Sequence, residues 1–184
     1  MPIDERYITK FNELWEAKCK KYQKLPSVLP AVNRIIVIGD IHGDFDELIR
    51  CLLKGKCINR SLKWTGKGTI VVQCGDQIDS CRSSETINCH MEKQKNDKAE
   101  DIRILKYLTN LHKEASKYGG AVYSLIGNHE MMNQTDLRYV SYENIVSFAD
   151  PDAHNKFISG LENRKKYFSP GNKIAEFLAC TRLM

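Results

Sequence analysis

The sequence feature that most constrains the fold is the stretch of residues 34–44, RIIVIGDIHGD. Its four consecutive β-branched residues, 35–38, end at a glycine and predict a β-strand buried on both faces, as in a sheet covered by helices. Asp40 and His42 then alternate with small or apolar residues, so an extended backbone directs both side chains to the same side. A carboxylate and an imidazole that converge in this way suit a divalent cation. The alternative is an ordinary turn, in which Asp and Gly are common.

Two later stretches repeat the pattern of a β-branched run followed by glycine and polar residues. Residues 68–74 lead into Gly-Asp at 75–76, with Asp79 shortly afterwards. Residues 120–126 lead into Gly-Asn-His-Glu at 127–130. Because the carboxyl ends of parallel strands meet at one edge of an open α/β sheet, we expect the three polar clusters to lie together there.

The three clusters resemble the three signature blocks of the calcineurin-like metallophosphoesterases. Within that superfamily they are most similar to the phosphoprotein phosphatase branch, including its bacterial-type, Shewanella-like members. The blocks occur in the family's order, and the resemblance extends from about Ile35 to Glu130, with a weaker likeness at residues 168–172. It implies an α/β fold in which a metallophosphoesterase-type β-sheet sandwich is flanked by helices.

The resemblance implies a site for two metal ions, for which manganese, iron and zinc are the candidates. The corresponding ligands are Asp40, His42, Asp76 and Asn128, with Asp76 bridging the two ions. Two neighbouring ions activate a water molecule and stabilise charge on the phosphoryl oxygens. Asparagine is a neutral ligand, so it leaves the site with net positive charge for a phosphate.

The resemblance also assigns acid–base chemistry to the second and third blocks. His129 corresponds to the general acid that protonates the leaving alkoxide, and Asp79 to the carboxylate that orients this histidine. For Glu130 we expect a charge at a helix N-terminus rather than a catalytic role.

Arg82 is the candidate phosphate-binding residue. In the family an arginine usually follows the aspartate that corresponds to Asp79 directly, whereas Arg82 is separated from it by Ser80 and Cys81. Arg82 has two possible roles at this point. Its guanidinium reaches the same phosphate, or it is a solvated arginine of the loop. Ile126 stands where many eukaryotic members carry an arginine, and this favours the bacterial-type group.

The C-terminal part departs further from the family. The family has two more metal-binding histidines on later strands, whereas His154 is the only histidine after His129. His154 lies in a polar turn, where we expect it to be at the surface. Residues 168–183 are similar to the segment before the first of those strands. We therefore expect a domain that is incomplete at its C-terminus, and a metal site that lacks half its ligands binds weakly.

The chain divides into an N-terminal amphipathic helix and linker at residues 1–30 and a truncated metallophosphoesterase domain at residues 31–184. Apolar residues recur at helical spacing in the first segment, and we expect them to pack on the domain: Tyr7, Phe11, Leu14, Trp15 and Tyr22. Residues 80–98 are polar and without periodicity, and are expected to form a surface loop near the site.

Helices are predicted at four places in the second segment. One begins after Asp44, which is placed as an N-cap, and a longer one covers residues 102–118. His112 lies off the apolar stripe of that longer helix, so we expect it to face solvent. Shorter helices are expected near residues 140–148 and 174–179.

Composition excludes several classes of function. The formal charge of +5 is spread along the chain without a basic stripe and interleaved aromatics, so we expect no nucleic-acid partner. No apolar run approaches the length of a membrane span, and the first residues do not form a secretory leader. We therefore expect no membrane partner and a cytoplasmic location.

The seven cysteines are odd in number and irregularly spaced, and Cys51, Cys74 and Cys180 stand in apolar context. We interpret them as buried free thiols in a reducing compartment. A zinc site formed by Cys81, Cys89 and His90 is the less favoured alternative, because no CxxC pair is present.

The blocks and their chemistry predict a metal-dependent phosphatase that hydrolyses phosphate monoesters with a metal-activated water. The expected substrate is a phosphorylated protein, on Ser/Thr or Tyr. A nucleotide or dinucleotide polyphosphate hydrolase is one alternative, because the blocks describe phosphoryl chemistry and not the leaving group. A non-catalytic remnant that serves as a binding module is the other, because the later histidines are absent.

Overall fold

The computed structural model describes residues 5–26, 28–29, 31–82, 88–91 and 97–183. Three short strands are β1 (Ile35–Ile38), β2 (Ile70–Gln73) and β3 (Ala121–Ser124). The helices are α1 (Glu5–Lys18), α2 (Phe45–Lys54), α3 (Asp101–Ser116), α4 (Asn128–Met132), α5 (Tyr142–Val146), α6 (Lys156–Phe168) and α7 (Lys173–Thr181). The predicted loop at residues 80–98 lies partly outside the described residues.

The strands form a parallel sheet in the order β1-β2-β3, with Ile36 beside Val71 and Val71 beside Val122. Helix α2 connects β1 to β2, and α3 follows β2 before β3. This alternation confirms the predicted α/β class and places the carboxyl ends of all three strands at one edge of the sheet. Among the described residues the sheet has these three strands only.

The main core lies between one face of the sheet and the two long helices behind it. Ile38, Val71 and Val122 pack there against apolar residues of α2 and α3, among them Leu48, Leu52, Leu108, Leu111 and Ala115. These helix residues recur every three or four positions, so one side of each helix is buried. This packing fixes α2 and α3 against the sheet whose strand ends carry the polar clusters.

The prediction that the first strand is buried on both faces is wrong. Ile35 and Val37 on β1 are 56% and 66% exposed, whereas Ile38 is buried. Alternate residues of a strand point to opposite faces. On the second face of the sheet, β2 and β3 contact Leu25, Val32 and Leu183. These residues do not bury Ile35 and Val37 of β1.

The expected packing of the N-terminal stripe is wrong for three of its five residues, whereas Trp15 and Tyr22 are partly buried and the Tyr22 ring lies 5.9 Å from that of Phe177 on α7. The predicted helix is present as α1, but it has no fully buried residue, and Tyr7, Phe11 and Leu14 are each more than half exposed. It is joined to the rest of the chain near its end by a disulfide between Cys19 and Cys180. The division of the chain near residue 30 stays a prediction.

The interpretation of the cysteines as free thiols is wrong for four of the seven. Cys19 pairs with Cys180, and Cys81 pairs with Cys89. The second pairing also rules out the zinc alternative, because it consumes two of the proposed ligands. Sulfurs 161 residues apart meet only through the tertiary fold, so their spacing gave no sign of the bond. The free cysteines are Cys51, Cys57 and Cys74, and only Cys57 is fully buried. With disulfides present, the thiols no longer support a reducing compartment.

Two further differences concern helices. His112 on α3 is buried rather than solvent-facing, because its Nδ1 accepts a hydrogen bond from the Val122 N–H of the neighbouring strand at 3.2 Å. Helix α6 was not predicted, since its polar sequence contains a glycine in mid-helix. A Cβ on Gly160 would lie 2.1 Å from the Ile145 carbonyl oxygen, so α5 and α6 approach closely at this residue.

The other predicted helices are present. Asp44 is the N-cap of α2, and its Oδ1 accepts the Glu47 N–H at 2.8 Å. Within the described part of the chain, no helix has both the length and the apolar content that crossing a membrane requires.

Candidate active site

The segments after the three strands meet at the carboxyl edge of the sheet. The N–H groups of Ile41 and His42 both donate to the Asp76 carbonyl oxygen at 2.9 Å, so the loops after β1 and β2 are held together. His42, Asp76 and Asp79 all have positive φ angles, of 47°, 50° and 69°. Such angles are unfavourable for residues with a Cβ, and in folded proteins they occur often at functional sites.

Three of the side chains are close enough to share one cation. Ligand atoms of His42, Asp76 and His129 all lie within 4.8 Å of one another. Asp40 borders this group, with its Oδ2 3.5 Å from His42 Nε2, and its side chain is 61% exposed. The predicted ligands of the first two blocks are therefore brought together, and the side of the cluster formed by Asp40 is open to solvent.

Asn128 lies beside the same cluster, at the start of α4. Its amide oxygen faces the Asp76 carboxylate, and the distances from this amide position to the two carboxylate oxygens are 3.0 and 3.3 Å. Acceptor oxygens this close repel one another unless the amide turns over to donate or a cation lies between them. A divalent ion held by both residues satisfies this pair, so the donor set fits a metal of the kind the sequence predicts.

His129 and Asp79 form a buried pair. His129 Nδ1 lies 3.0 Å from Asp79 Oδ2, and the two residues are 7% and 1% exposed. The hydrogen bond to Asp79 raises the pKa of His129 above its ordinary value, although burial opposes this rise. The His129 N–H also donates to Asp76 Oδ1 at 2.9 Å, which links the pair to the candidate metal ligands. The imidazole is thus held through Nδ1, and Nε2 is left for chemistry.

Glu130 has a larger part in the site than a helix charge. It is 1% exposed, and it accepts N–H bonds from Gly127 at 2.7 Å, Gln77 at 2.7 Å and Asp76 at 3.0 Å. Burial raises the pKa of Glu130, while the three N–H groups act in the opposite direction. This carboxylate therefore joins the loop after β2 to the loop after β3.

Arg82 and His154 lie apart from these contacts. Arg82 Nη1 donates to the carbonyl oxygens of Asp79 at 3.1 Å and Cys81 at 3.0 Å, so it is bonded to its own loop. His154 is exposed, at a position between α5 and α6. A phosphate contact for Arg82 stays a prediction.

Three residues that the sequence did not assign to the site lie behind Asp79: Asp101, Asn133 and Arg164, the last of which belongs to a basic run expected to face solvent. All three are fully buried and belong to different helices or helix ends. Burial raises the pKa of Asp101 to about 7, an effect that the adjacent Arg164 guanidinium opposes. No local motif marks these residues, because each sits in an ordinary helical segment and meets Asp79 only in the folded chain.

Comparison with known families identifies the fold around this site. The sequence profile of the calcineurin-like phosphoesterases matches residues 33–179, which include every residue of the site. The chain belongs to the calcineurin-like phosphoesterase family.

Two of the similar sequences are Shewanella-like protein phosphatases. Shewanella-like protein phosphatase 2 of Arabidopsis thaliana is 34% identical over 117 residues, which are 63% of this chain and 26% of that protein. Shewanella-like protein phosphatase 1 of Plasmodium berghei (strain Anka) is 32% identical over 136 residues, which are 73% of this chain and 33% of that protein. The chain therefore spans about a quarter to a third of the length of these two relatives.

Solved structures share the fold. The cold-active protein-tyrosine phosphatase of a psychrophilic Shewanella species superposes with a TM-score of 0.62 at 24% identity, over 86% of this chain and 40% of that one. A second structure of a cold-active protein tyrosine phosphatase superposes with a TM-score of 0.60 at 25% identity, with the same coverage. The expected superfamily, branch and α/β fold are thus confirmed.

Proposed function

We propose that this chain carries part of the active site of a metal-dependent phosphatase that removes phosphate from proteins. The observation that carries the proposal is the cluster of His42, Asp76 and His129, whose ligand atoms lie within 4.8 Å, next to Asn128 and Asp40. Family membership and the similarity to Shewanella-like phosphatases support it. The similar solved structures are named as protein tyrosine phosphatases, and this favours a phosphorylated protein as the substrate.

We assign metal binding to Asp40, His42, Asp76 and Asn128, with two ions drawn from manganese, iron and zinc. When bound, such ions activate a water molecule as the nucleophile and neutralise charge on the phosphoryl oxygens. We place Asp76 as the residue that would bridge them, because its carboxylate lies beside both the His42 ligand atom and the Asn128 amide. The open side at Asp40 is where a substrate enters.

We assign proton transfer to His129 and Asp79. Asp79 accepts the Nδ1–H, so the protonated imidazole presents its Nε2–H to the leaving oxygen of the substrate. The hydrogen bond to Asp79 raises the pKa of His129, which favours the protonated imidazole. Arg82 remains a candidate for binding the phosphate, which requires its side chain to leave the loop carbonyls that it now contacts.

Manganese-dependent hydrolysis of p-nitrophenyl phosphate tests the proposal. The Asp76→Asn variant keeps the size of the side chain but removes a ligand charge, and we expect it to lose at least about a hundredfold in rate. Equal rates for the wild-type protein and Asp76→Asn would reject the phosphatase assignment. The Glu47→Gln variant is the control, because Glu47 is a partly exposed acid in the first turn of α2 that pairs with Arg50.

A substrate panel separates the classes of leaving group. We expect faster hydrolysis of phosphotyrosine or phosphoserine peptides than of nucleoside monophosphates and dinucleotide polyphosphates. The reverse order would replace the protein substrate with a nucleotide. Measurement of bound metal tests the remaining alternative, since a protein that holds one ion or none and has no turnover is a binding module.

A further inference from the structure

Arg164 lies directly behind the His129–Asp79 pair, with its side chain fully buried on α6. Its Nη2 donates to Asp79 Oδ1 at 3.0 Å and to Asp101 Oδ2 at 2.7 Å. The guanidinium therefore joins Asp79 to a second buried carboxylate on α3.

Asn133 closes these contacts into a ring. Arg164 Nε donates to Asn133 Oδ1 at 2.7 Å, and Asn133 Nδ2 donates to Asp79 Oδ2 at 2.7 Å. The same Nδ2 lies 3.0 Å from the carbonyl oxygen of His129. Both oxygens of Asp79 are therefore held by buried donors, and this fixes the plane of the carboxylate that accepts from the imidazole.

The main chain of Asp79 is held by the same group. Its N–H lies 3.3 Å from Asp101 Oδ1, while Asp101 Oδ2 accepts from Arg164. The φ angle of Asp79 is 69°, an unfavourable conformation that the surrounding contacts must maintain. Arg164 and Asp101 thus act on both the backbone and the side chain of this residue.

We propose that Arg164, together with Asn133, is a positioning residue that holds Asp79 in the orientation required to direct the His129 imidazole. The proposal rests on the proposed phosphatase function, in which His129 protonates the leaving group. Arg164 and Asn133 are both fully buried behind Asp79. Their effect on catalysis passes through Asp79.

Arginine suits this position better than lysine. Its planar group makes three donor contacts in different directions, and it lies 5.2 Å from the ring centroid of Phe148 and 5.1 Å from that of Phe168. A lysine ammonium has no planar fork and cannot reach both carboxylates and Asn133 in the same geometry. We therefore expect Arg164→Lys to restore only part of the function lost in Arg164→Met.

The test compares two esters that differ in their need for a proton. The phenolate of phenyl phosphate is a poor leaving group and needs a general acid, whereas the nitrophenolate of p-nitrophenyl phosphate leaves without one. With manganese present, we expect Arg164→Met and Asn133→Ala to lower kcat for phenyl phosphate at least about tenfold more than for p-nitrophenyl phosphate, with KM unchanged. Arg164→Lys should fall between these variants and the wild-type protein.

The matched control is Arg182→Met. Arg182 is also a buried arginine, but it donates to Gln77 Oε1 at 2.9 Å and to the Leu105 carbonyl oxygen at 2.8 Å, and not to Asp79. We expect its loss to change the rates on both esters by the same factor. The proposal is overturned if Arg164→Met also lowers both rates equally, since this is the signature of a purely structural role.

A second measurement decides the proposal without turnover. In the metal-free protein, long-range ¹H–¹⁵N NMR correlations report which ring nitrogen of His129 carries hydrogen. At a pH high enough for the imidazole to be neutral, we expect the wild-type protein to show the Nδ1–H form and Arg164→Met and Asn133→Ala to show a mixture of tautomers. Unchanged spectra in both variants would refute the positioning role. If the wild-type protein hydrolyses neither ester, the proposed phosphatase function fails, and the NMR result still decides whether Arg164 positions Asp79.

Discussion

Replacing Glu130 by alanine tests the central contact between the second and third blocks. The buried carboxylate accepts three main-chain N–H groups, from Gly127, Gln77 and Asp76, at 2.7–3.0 Å. Each buried donor left without a partner costs about 1–3 kcal/mol. Water that enters the space left by the side chain, and relief of the carboxylate's own burial, offset part of this sum. We therefore expect Glu130→Ala to lose about 4 kcal/mol of unfolding free energy, a large share of the ~5–15 kcal/mol of a typical domain.

Urea unfolding followed by tryptophan fluorescence measures this loss. Glu130→Gln retains one acceptor oxygen but turns an NH₂ group toward N–H donors, so we expect about half the effect of alanine. The matched control is Glu47→Ala, because Glu47 also lies in the first turn of a helix but its side chain is 41% exposed. A first-turn charge that acts only on the helix dipole contributes about 0.3–1 kcal/mol.

The comparison with Glu47 decides between two roles for Glu130. If Glu130→Ala costs no more than Glu47→Ala, then Glu130 is only a helix charge and the reasoning from its three contacts is wrong. A second consequence concerns the metal. Glu130 holds the main-chain N–H of Asp76, so we also expect weaker manganese binding by isothermal titration in Glu130→Ala than in Glu47→Ala.

Two other predictions follow from contacts near the sheet. A Cβ on Gly127 would lie 2.2 Å from both the main-chain nitrogen and Oδ1 of Asp76, so Gly127→Ala should weaken manganese binding at least about tenfold by titration. Gly39→Ala, where nothing lies within 4 Å, is the control, and equal affinities in the two variants would contradict the prediction. Burial lowers the pKa of His112 below its ordinary value of 6.5, so the unfolded chain binds a proton more readily than the folded one. The stability that neutral His112 provides is present above pH 6.5 and is lost as the pH falls through its lowered pKa. In urea unfolding we expect the wild-type protein to lose more stability than His112→Asn between pH 7 and pH 5, and parallel losses would refute this.

The arrangement of the site follows from strand topology, which local sequence predicts well. A β-branched run that ends in glycine and polar residues sets a strand and a turn through contacts within a few residues. Three such runs in an α/β chain then place Asp40, Asp76 and Asn128 at one edge, because parallel strands have their carboxyl ends on the same side. The cap at Asp44 is local in the same sense.

The features that the sequence did not reveal depend on residues far apart in the chain. His112 is off the apolar stripe of its helix, yet it is buried because its Nδ1 accepts from Val122 on the adjacent strand. Ile35 and Val37 have the composition of a buried strand, yet they are exposed because the described residues do not cover that face of β1. In both cases the burial of the side chain depends on the neighbours that the fold places beside it, and the hydrophobic pattern of the sequence does not reveal these neighbours.

By itself, the sequence determined the three strand–glycine–polar blocks, their order, and hence the family and the position of the candidate metal ligands. Only the tertiary structure decided how those ligands are supported. Glu130 reaches Asp76 across 54 residues, Arg164 reaches Asp79 across 85, and Cys19 reaches Cys180 across 161. The physical reason is that short-range preferences fix strands, turns and caps. Contacts over such separations exist only once helices have packed on the sheet, and no local pattern encodes which side chains will then face one another.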